Sequence, residues 1–351
     1  MPLLARMVAC PLVVEIRPGA VKGLAGLLTD SRISSQGHVA VVVGPGQGER
    51  VVEEIGAALQ NADVYPVEGG TREAAAELAD SLRAGSYDAV VGIGGGRTLD
   101  VAKYAASLTG LPMVSVATNL AHDGIASPVA SLEYDGHKGS YGVHLPIAVF
   151  VDLDYVRTCP PEQLRSGVGD ALSNLSALAD WELASRERGE PVDGLAAALA
   201  RSAAESLLHR DEELASPEFL AGLAEALVLS GLAMTLAGSS RPCSGACHEI
   251  SHAIDALFPG TANHGEQVAV GALFASFLRG DDNLGALDDA LARYGVPRLP
   301  GDLGLTVEQF SAAVAHAPAT RPDRYTILEH LDLSGPEIEA RVQEFVDAFD
   351  R

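Results

Sequence analysis

Aromatic residues are scarce: they make up 5% of the 351 residues, with a single tryptophan. Core packing must therefore rest on Ala, Leu and Val, and the 47% hydrophobic content supplies them amply. Cysteine is scarce too. Four thiols, Cys10, Cys159, Cys243 and Cys247, are too few to staple so long a chain, which points to reduced thiols and a cytoplasmic setting. Basic residues are outnumbered, 24 Lys and Arg against 47 Asp and Glu, for a net charge of −23 with no basic run. That balance argues against nucleic acids and anionic membrane surfaces as partners. The opening MPLLARMVACPLVVEIRPG is broken by Pro11, lacks a signal-peptide core and reads as a first strand. No stretch approaches the roughly 18 uninterrupted apolar residues of a membrane span. Any anionic substrate would need a metal or local positive charge to overcome the protein's own field.

What is present is a change of rhythm midway. A chain of this length predicts two domains. In the first half, short β-branched runs at 38–43, 63–67, 88–93, 112–119 and 147–153 alternate with helical patterns at 49–59, 71–84 and 98–108. Thr71 suits the N-cap of the second helix. Strands separated by helices imply parallel βαβ units. Beyond Pro160-Pro161 the segments read as helix: 162–188, 193–209, 217–236, 244–257, 266–278, 283–294, 306–316 and 335–349. The expected fold class is an α/β N-terminal dinucleotide-binding domain with a parallel sheet, residues 1–158. An all-α C-terminal domain, residues 159–351, follows, with a cleft between the two.

Three signals carry chemistry. Gly94-Gly95-Gly96-Arg97-Thr98 follows a strand and opens a helix, where bare backbone and free N–H groups suit a pyrophosphate. The spacing is not GxGxxG, and a structural turn would use the same glycines. Asp100 and Lys103 on the following helix read as a solvated face pair. The second signal, SVATNLAHDGIASP at 115–128, offers Thr118 and Ser127 as hydrogen-bonding groups and Asp123 as an acceptor for a substrate hydroxyl; a turn-rich loop is the plainer reading. The third is the most specific. Asp170 lies in SGVGDALSN, His248 and His252 share a helix face in HEISHAID, and His264 follows in NHGEQ. Imidazoles and one carboxylate suit a divalent metal with an open position. A rival set, Cys243, Cys247, His248 and His252, would be a structural zinc knot, which has little purpose inside a packed helical domain.

Taken in order, GGGRTLDVAK, SVATNLAHDGIASP, SGVGDALSN, RPCSGACHEISHAID and HGEQVAVG resemble the glycerol-1-phosphate dehydrogenase family, within the group that holds glycerol dehydrogenase, iron-type alcohol dehydrogenases and dehydroquinate synthase. The likeness runs from about residue 35 to 280. It implies that Asp170, His248 and His264 hold the metal. It implies that Gly94, Gly95, Gly96, Arg97, Thr98, Thr118, Asn119, Leu120, Ala121 and Ser127 bind NAD or NADP. Asp123 and His252 would face the substrate, with Asp170 touching both metal and substrate. The metal expected is zinc, with iron or nickel as alternatives, and the assembly a homo-oligomer. Ala117 and Asn119-Leu120 depart from the family's usual residues. The segment GHKGSYGVHLP, with Lys138, Tyr141 and His144, matches no phosphate site.

The expected activity is reduction of a small ketose phosphate, dihydroxyacetone phosphate to sn-glycerol 1-phosphate or a close analogue. His252 is the residue expected to meet the phosphate. An unphosphorylated polyol is the nearest alternative. A sugar-phosphate cyclase resembling dehydroquinate synthase is disfavoured: that group carries Glu as first metal ligand with Lys soon after, and no Lys lies between 139 and 351. Near Gly44–Gly46 no acidic residue stands out to bind an adenosine 2′-hydroxyl, so NADP stays open beside NAD.

Overall fold

In a computed structural model of the chain, residues 9–28, 38–59 and 61–350 are described. They divide into two compact units. The first comprises residues 1–119, 124–158 and 234–239, and the second residues 120–123, 159–233 and 240–351.

The first unit is built on six parallel strands: β1 (Val13–Arg17), β2 (Val39–Val43), β3 (Ala62–Pro66), β4 (Ala89–Gly94), β5 (Met113–Ala117) and, after a hairpin, β8 (Ala148–Asp152). Their order is β1-β8-β5-β4-β2-β3. β2, β4, β5 and β8 are buried along their whole length, as a sheet covered on both faces requires. Val39, Val41, Val91, Ile93, Val114, Val116 and Phe150 pack with Leu24, Leu27, Val51 and Ile55 into the main apolar cluster. Thr71 caps helix Arg72–Ala84 by accepting from the Ala74 N–H at 3.1 Å.

The sequence reading missed the two-stranded hairpin β6 (Val129–Tyr134) and β7 (His137–Gly142). Its turn, Asp135-Gly136, has both residues at positive φ, 51° and 75°, which is the Asp-Gly signature of a tight hairpin. Most of the hairpin is exposed and polar, so an apolar alternation was too faint to announce it. Lys103 was also misjudged. Its side chain is fully buried, paired with Asp100 at 2.9 Å and donating to the carbonyls of Gly124 (2.8 Å) and Val129. It anchors the loop after β5 to helix Gly96–Thr109 instead of lying on a solvated face.

The second unit is helical. The segment expected as one helix over 162–188 is two, Pro161–Leu172 and Asn174–Arg188. At the junction the Ser173 hydroxyl donates to the Asp170 carbonyl at 2.8 Å, a back-bond that bends a helix. A short helix, Ile327–Leu331, had no counterpart in the sequence reading. The few aromatics gather here: Phe274 meets Phe310 and Phe345 edge-on at centroid distances of 5.5 and 5.4 Å. Helix Pro217–Ala237 is the one described helix long and apolar enough to cross a membrane, but 67% of its most apolar window is buried inside the protein, as for a core helix.

Two helix crossings fix this unit. A Cβ at Gly265 would stand 1.8 Å from the Ser166 carbonyl oxygen, and one at Gly169 would stand 2.2 Å from the Gly265 oxygen. Helices Pro161–Leu172 and His264–Arg279 therefore touch backbone to backbone, and the Gly265 N–H donates to Ser166 Oγ at 3.1 Å. At Gly271 a Cβ would meet the Cys247 carbonyl oxygen at 2.8 Å, so helix Ala246–Leu257 also makes a close backbone approach. Gly265→Ala has no side-chain end to push aside and should cost about 1–3 kcal/mol of stability or more. Gly285 faces open space, and Gly285→Ala should be neutral or stabilising by about 0.5–1 kcal/mol. Thermal unfolding of the two variants checks this; equal melting temperatures would contradict the backbone contact.

Candidate active site

The three helices so clamped each carry one member of a cluster. Asp170 stands near the end of Pro161–Leu172, His248 in the first turn of Ala246–Leu257, and His264 at the first position of His264–Arg279. Glu266 fixes that last helix start, its carboxylate accepting from the Asn263 N–H at 3.1 Å. Sequence periodicity placed the start two residues later, because His264 and Gly265 carry no apolar signal.

Ligand-type atoms of Asp170, His248 and His264 all lie within 4.8 Å of one another. Asp170 Oδ1 is 3.7 Å from His248 Nε2 and 3.9 Å from His264 Nε2, too far for hydrogen bonds. Atoms about 2.0–2.2 Å from a shared ion stand roughly 3–4 Å apart, so the spacing fits one cation between them. The protonation states agree. Burial drives His248 well below its usual range, with His264 and Arg321 adding to it, so its imidazole is neutral. Its Nδ1 meets the Cys247 thiol at 3.4 Å, leaving Nε2 toward Asp170. Burial pushes the Asp170 carboxyl well up and the Asp123 charge adds to this, while the Asp123 backbone N–H opposes it, donating to Oδ2 at 2.8 Å. A cation is what would keep so buried a carboxylate ionised.

A hydrogen-bond chain sets the tautomer of His264. Gln267 Nε2 donates to Asp255 at 3.1 Å and to the Ala262 carbonyl, which orients the amide and leaves Oε1 as an acceptor. Ser251 donates its one hydroxyl proton to that Oε1 at 2.7 Å. The Ser251 oxygen, 3.2 Å from His264 Nδ1, must then accept, so Nδ1 carries the proton and Nε2 the lone pair.

The rival cysteine set does not assemble. Among the described residues only Asp170, His248 and His264 form a metal-type cluster. Burial pushes Cys247 up to about 12 and Cys243 up as well, which keeps both as thiols and not the thiolates that bind metal.

In the α/β unit, β3 and β5 lie on opposite sides of the β2–β4 pair, so the chain reverses direction there, and nucleotides bind at such a point beyond the strand ends. Gly44 follows β2 and Gly94 closes β4. A Cβ on either would press on Thr98, at 2.2 and 2.8 Å. Thr98 is buried and Arg97 exposed at the start of helix Gly96–Thr109, and no side chain caps that helix. Thr118 donates its N–H to the Gly94 carbonyl at 3.0 Å, and a Cβ on Gly95 would stand 2.5 Å from Asn119 Nδ2. These residues pack together around the start of helix Gly96–Thr109. Leu120 and Ala121 group with the helical unit: a Cβ on Gly167 would meet the Leu120 oxygen at 1.9 Å, and the Ala121 carbonyl accepts from Ser166 Oγ at 2.9 Å. Ser127 is buried and donates to the Val129 carbonyl at 3.3 Å.

His252 stands beside the cluster, its ring 6.4 Å from that of His264, but its Nε2 accepts from Arg321 at 3.0 Å. Arg321, with Arg324, was not singled out in the sequence. Both lie beyond the last motif, and two arginines three apart are no signal until the fold brings them to His252. Lys138 and His144 are exposed on and after the hairpin, and Tyr141 meets Tyr104 edge-to-face at 5.4 Å.

Residues 15–160 match the family model for iron-containing alcohol dehydrogenase. A glycerol-1-phosphate dehydrogenase [NAD(P)+] from Staphylothermus marinus is 36% identical over 330 residues, covering 92% of this chain and 92% of that protein. One from Thermofilum pendens is 45% identical over 250 residues, covering 70% and 72%. The glycerol dehydrogenase of Schizosaccharomyces pombe shares the fold, with a TM-score of 0.73 at 21% identity over 98% of this chain and 93% of that one. Relatives 36% and 45% identical, the first of them matched over nearly the whole chain, join the motifs and the metal-type cluster to one conclusion: the chain belongs to the glycerol-1-phosphate dehydrogenase family, NAD(P)-dependent oxidoreductases of the iron-containing alcohol dehydrogenase group.

Proposed function

We propose that this chain reduces dihydroxyacetone phosphate to sn-glycerol 1-phosphate with NADH or NADPH, assisted by a divalent metal, zinc before iron or nickel, held by Asp170, His248 and His264. The observation that carries the reading is the convergence of one carboxylate oxygen and two imidazole nitrogens within 4.8 Å on three helices. The names of the relatives support the substrate.

When bound, the metal supplies Lewis-acid polarisation of the ketone and the reduced nicotinamide supplies hydride. The protein's part is placement. Gly94–Thr98, Thr118, Asn119 and Ser127 would hold the dinucleotide, with bare backbone admitting the pyrophosphate at the helix start. The family resemblance adds Leu120 and Ala121 to the dinucleotide-binding residues. Asp123, whose N–H already binds Asp170 Oδ2, would accept from a substrate hydroxyl and orient it. With Nε2 of His252 accepting from Arg321, the ring proton sits on Nδ1, which would replace the proton the alcohol product requires.

Wild-type protein should bind about one equivalent of divalent metal and His264→Ala little, read by elemental analysis after dialysis; equal metal in both would overturn the ligand set. Gly95→Val puts a branched side chain at this helix start and displaces Asn119. It should weaken NAD(P)H binding about tenfold or more, roughly 1.4 kcal/mol, with metal content retained. Nucleotide fluorescence titration measures this, and unchanged affinity in a folded variant refutes the assignment. Wild type should turn over dihydroxyacetone phosphate in a panel of ketoses and ketose phosphates followed by NADH and NADPH oxidation.

A further inference from the structure

Helix Val307–Thr320 packs against Ala246–Leu257, the helix that carries His248 and His252. At its end the chain turns through Arg321-Pro322-Asp323-Arg324, closed by the Arg324 N–H donating to the Arg321 carbonyl at 2.9 Å. Proline in the second position suits such a turn. The turn delivers both arginines to one spot. Arg321 donates to Ser240 Oγ from Nη1 at 3.1 Å and to His252 Nε2 from Nη2 at 3.0 Å. Arg324 donates to the same Ser240 Oγ from Nη2 at 3.1 Å and to the Ser244 carbonyl from Nη1.

This is an odd economy for so acidic a chain. Neighbouring Arg241 is forked on Glu190, and Arg279 and Arg298 are paired with aspartates. Among the described residues neither Arg321 nor Arg324 forms an ion pair. Two half-buried guanidinium groups sharing a hydroxyl repel one another; the nearby Glu249 carboxyl, itself pushed up to about 8 by burial, offsets this only in part, and a bound anion would relieve the rest. Burial, then the charges of Arg321 and Arg241, push Arg324 down to about 10, so it remains a cation at neutral pH. Each guanidinium has five N–H donors, and the contacts above use two on each. Planar forked donors of this kind match phosphate oxygens.

We propose that Arg321 and Arg324 form the phosphate subsite of this active site, binding the phosphate of a ketose phosphate whose carbonyl faces Asp170, His248 and His264; this rests on the dehydrogenase reading above. The pair lies one side chain beyond the metal cluster, across His252, and only a few bonds separate carbonyl from phosphorus in a short ketose phosphate. His252 Nε2 then holds Arg321 in place, where the residue itself was expected to meet the phosphate, and its Nδ1 keeps the proton role given above. Local charge is thereby supplied against the −23 of the whole chain.

The metal-loaded enzyme tests this with dihydroxyacetone phosphate, unphosphorylated dihydroxyacetone and inorganic phosphate. Arg321→Gln and Arg324→Gln should each lower the kcat/KM ratio of phosphorylated over unphosphorylated ketone at least tenfold, mainly through KM, with partial rescue in Arg321→Lys. Inorganic phosphate should compete with the phosphorylated ketone and not with dihydroxyacetone. ³¹P line broadening of inorganic phosphate by wild type, lost in both Gln variants, reads the subsite without turnover. An unchanged ratio and unchanged broadening in folded variants would overturn the subsite while leaving the dehydrogenase reading intact. A wild type that broadens phosphate through these arginines yet does not reduce the phosphorylated ketone would keep the subsite and sink the substrate.

Discussion

The architecture of the helical unit depends on close backbone contact at Ser166, Gly169 and Gly265, with Gly271 against Cys247. Helices usually approach to 8–10 Å between axes, held apart by side chains. Where glycine removes the side chain, they close further, and residues next to the contact are held with little freedom. Asp170 follows Gly169 directly, His264 precedes Gly265, and His248 follows Cys247. Each of the three candidate ligands is thus the immediate neighbour of a residue in one of these backbone contacts. The same scaffold that packs the unit sets the spacing at which the donor atoms meet, so errors in packing would pass directly to the site.

Against this, much of the fold was legible from the sequence. Fully buried parallel strands such as Val39–Val43 and Ala89–Gly94 announce themselves as β-branched runs, and long Ala- and Leu-rich helices are equally plain. The close-packing glycines carry no such signal. In SGVGD and NHGEQ they serve a helix crossing, which no local pattern reveals. The break at Ser173 escaped because serine continues a helical pattern and acts only through its hydroxyl. Lys103 read as solvated because a buried lysine is rare; its partners, the Gly124 and Val129 carbonyls, are more than twenty residues away.

The candidate ligands came from the family resemblance, because each lies in a short ordered motif, SGVGD, HEISH or NHGEQ. The cationic pair lies beyond them. Arg321 and Arg324 gain meaning from Ser240 and His252, at least 69 residues away along the chain. A net charge sum also hides them, since 47 acidic residues swamp a local reversal of sign. For a substrate of the same sign as the protein, that local reversal matters more than the total, because screening confines charge effects to about 8–10 Å at physiological salt.

The central claim is that Asp170, His248 and His264 share one divalent ion. An anomalous difference map, recorded at the absorption edge of the metal that copurifies with the chain, tests it most directly. The account predicts a single strong peak bonded to Asp170 Oδ1, His248 Nε2 and His264 Nε2. A peak beside Cys243 and Cys247, or none among the three ligands in metal-saturated crystals, would contradict it.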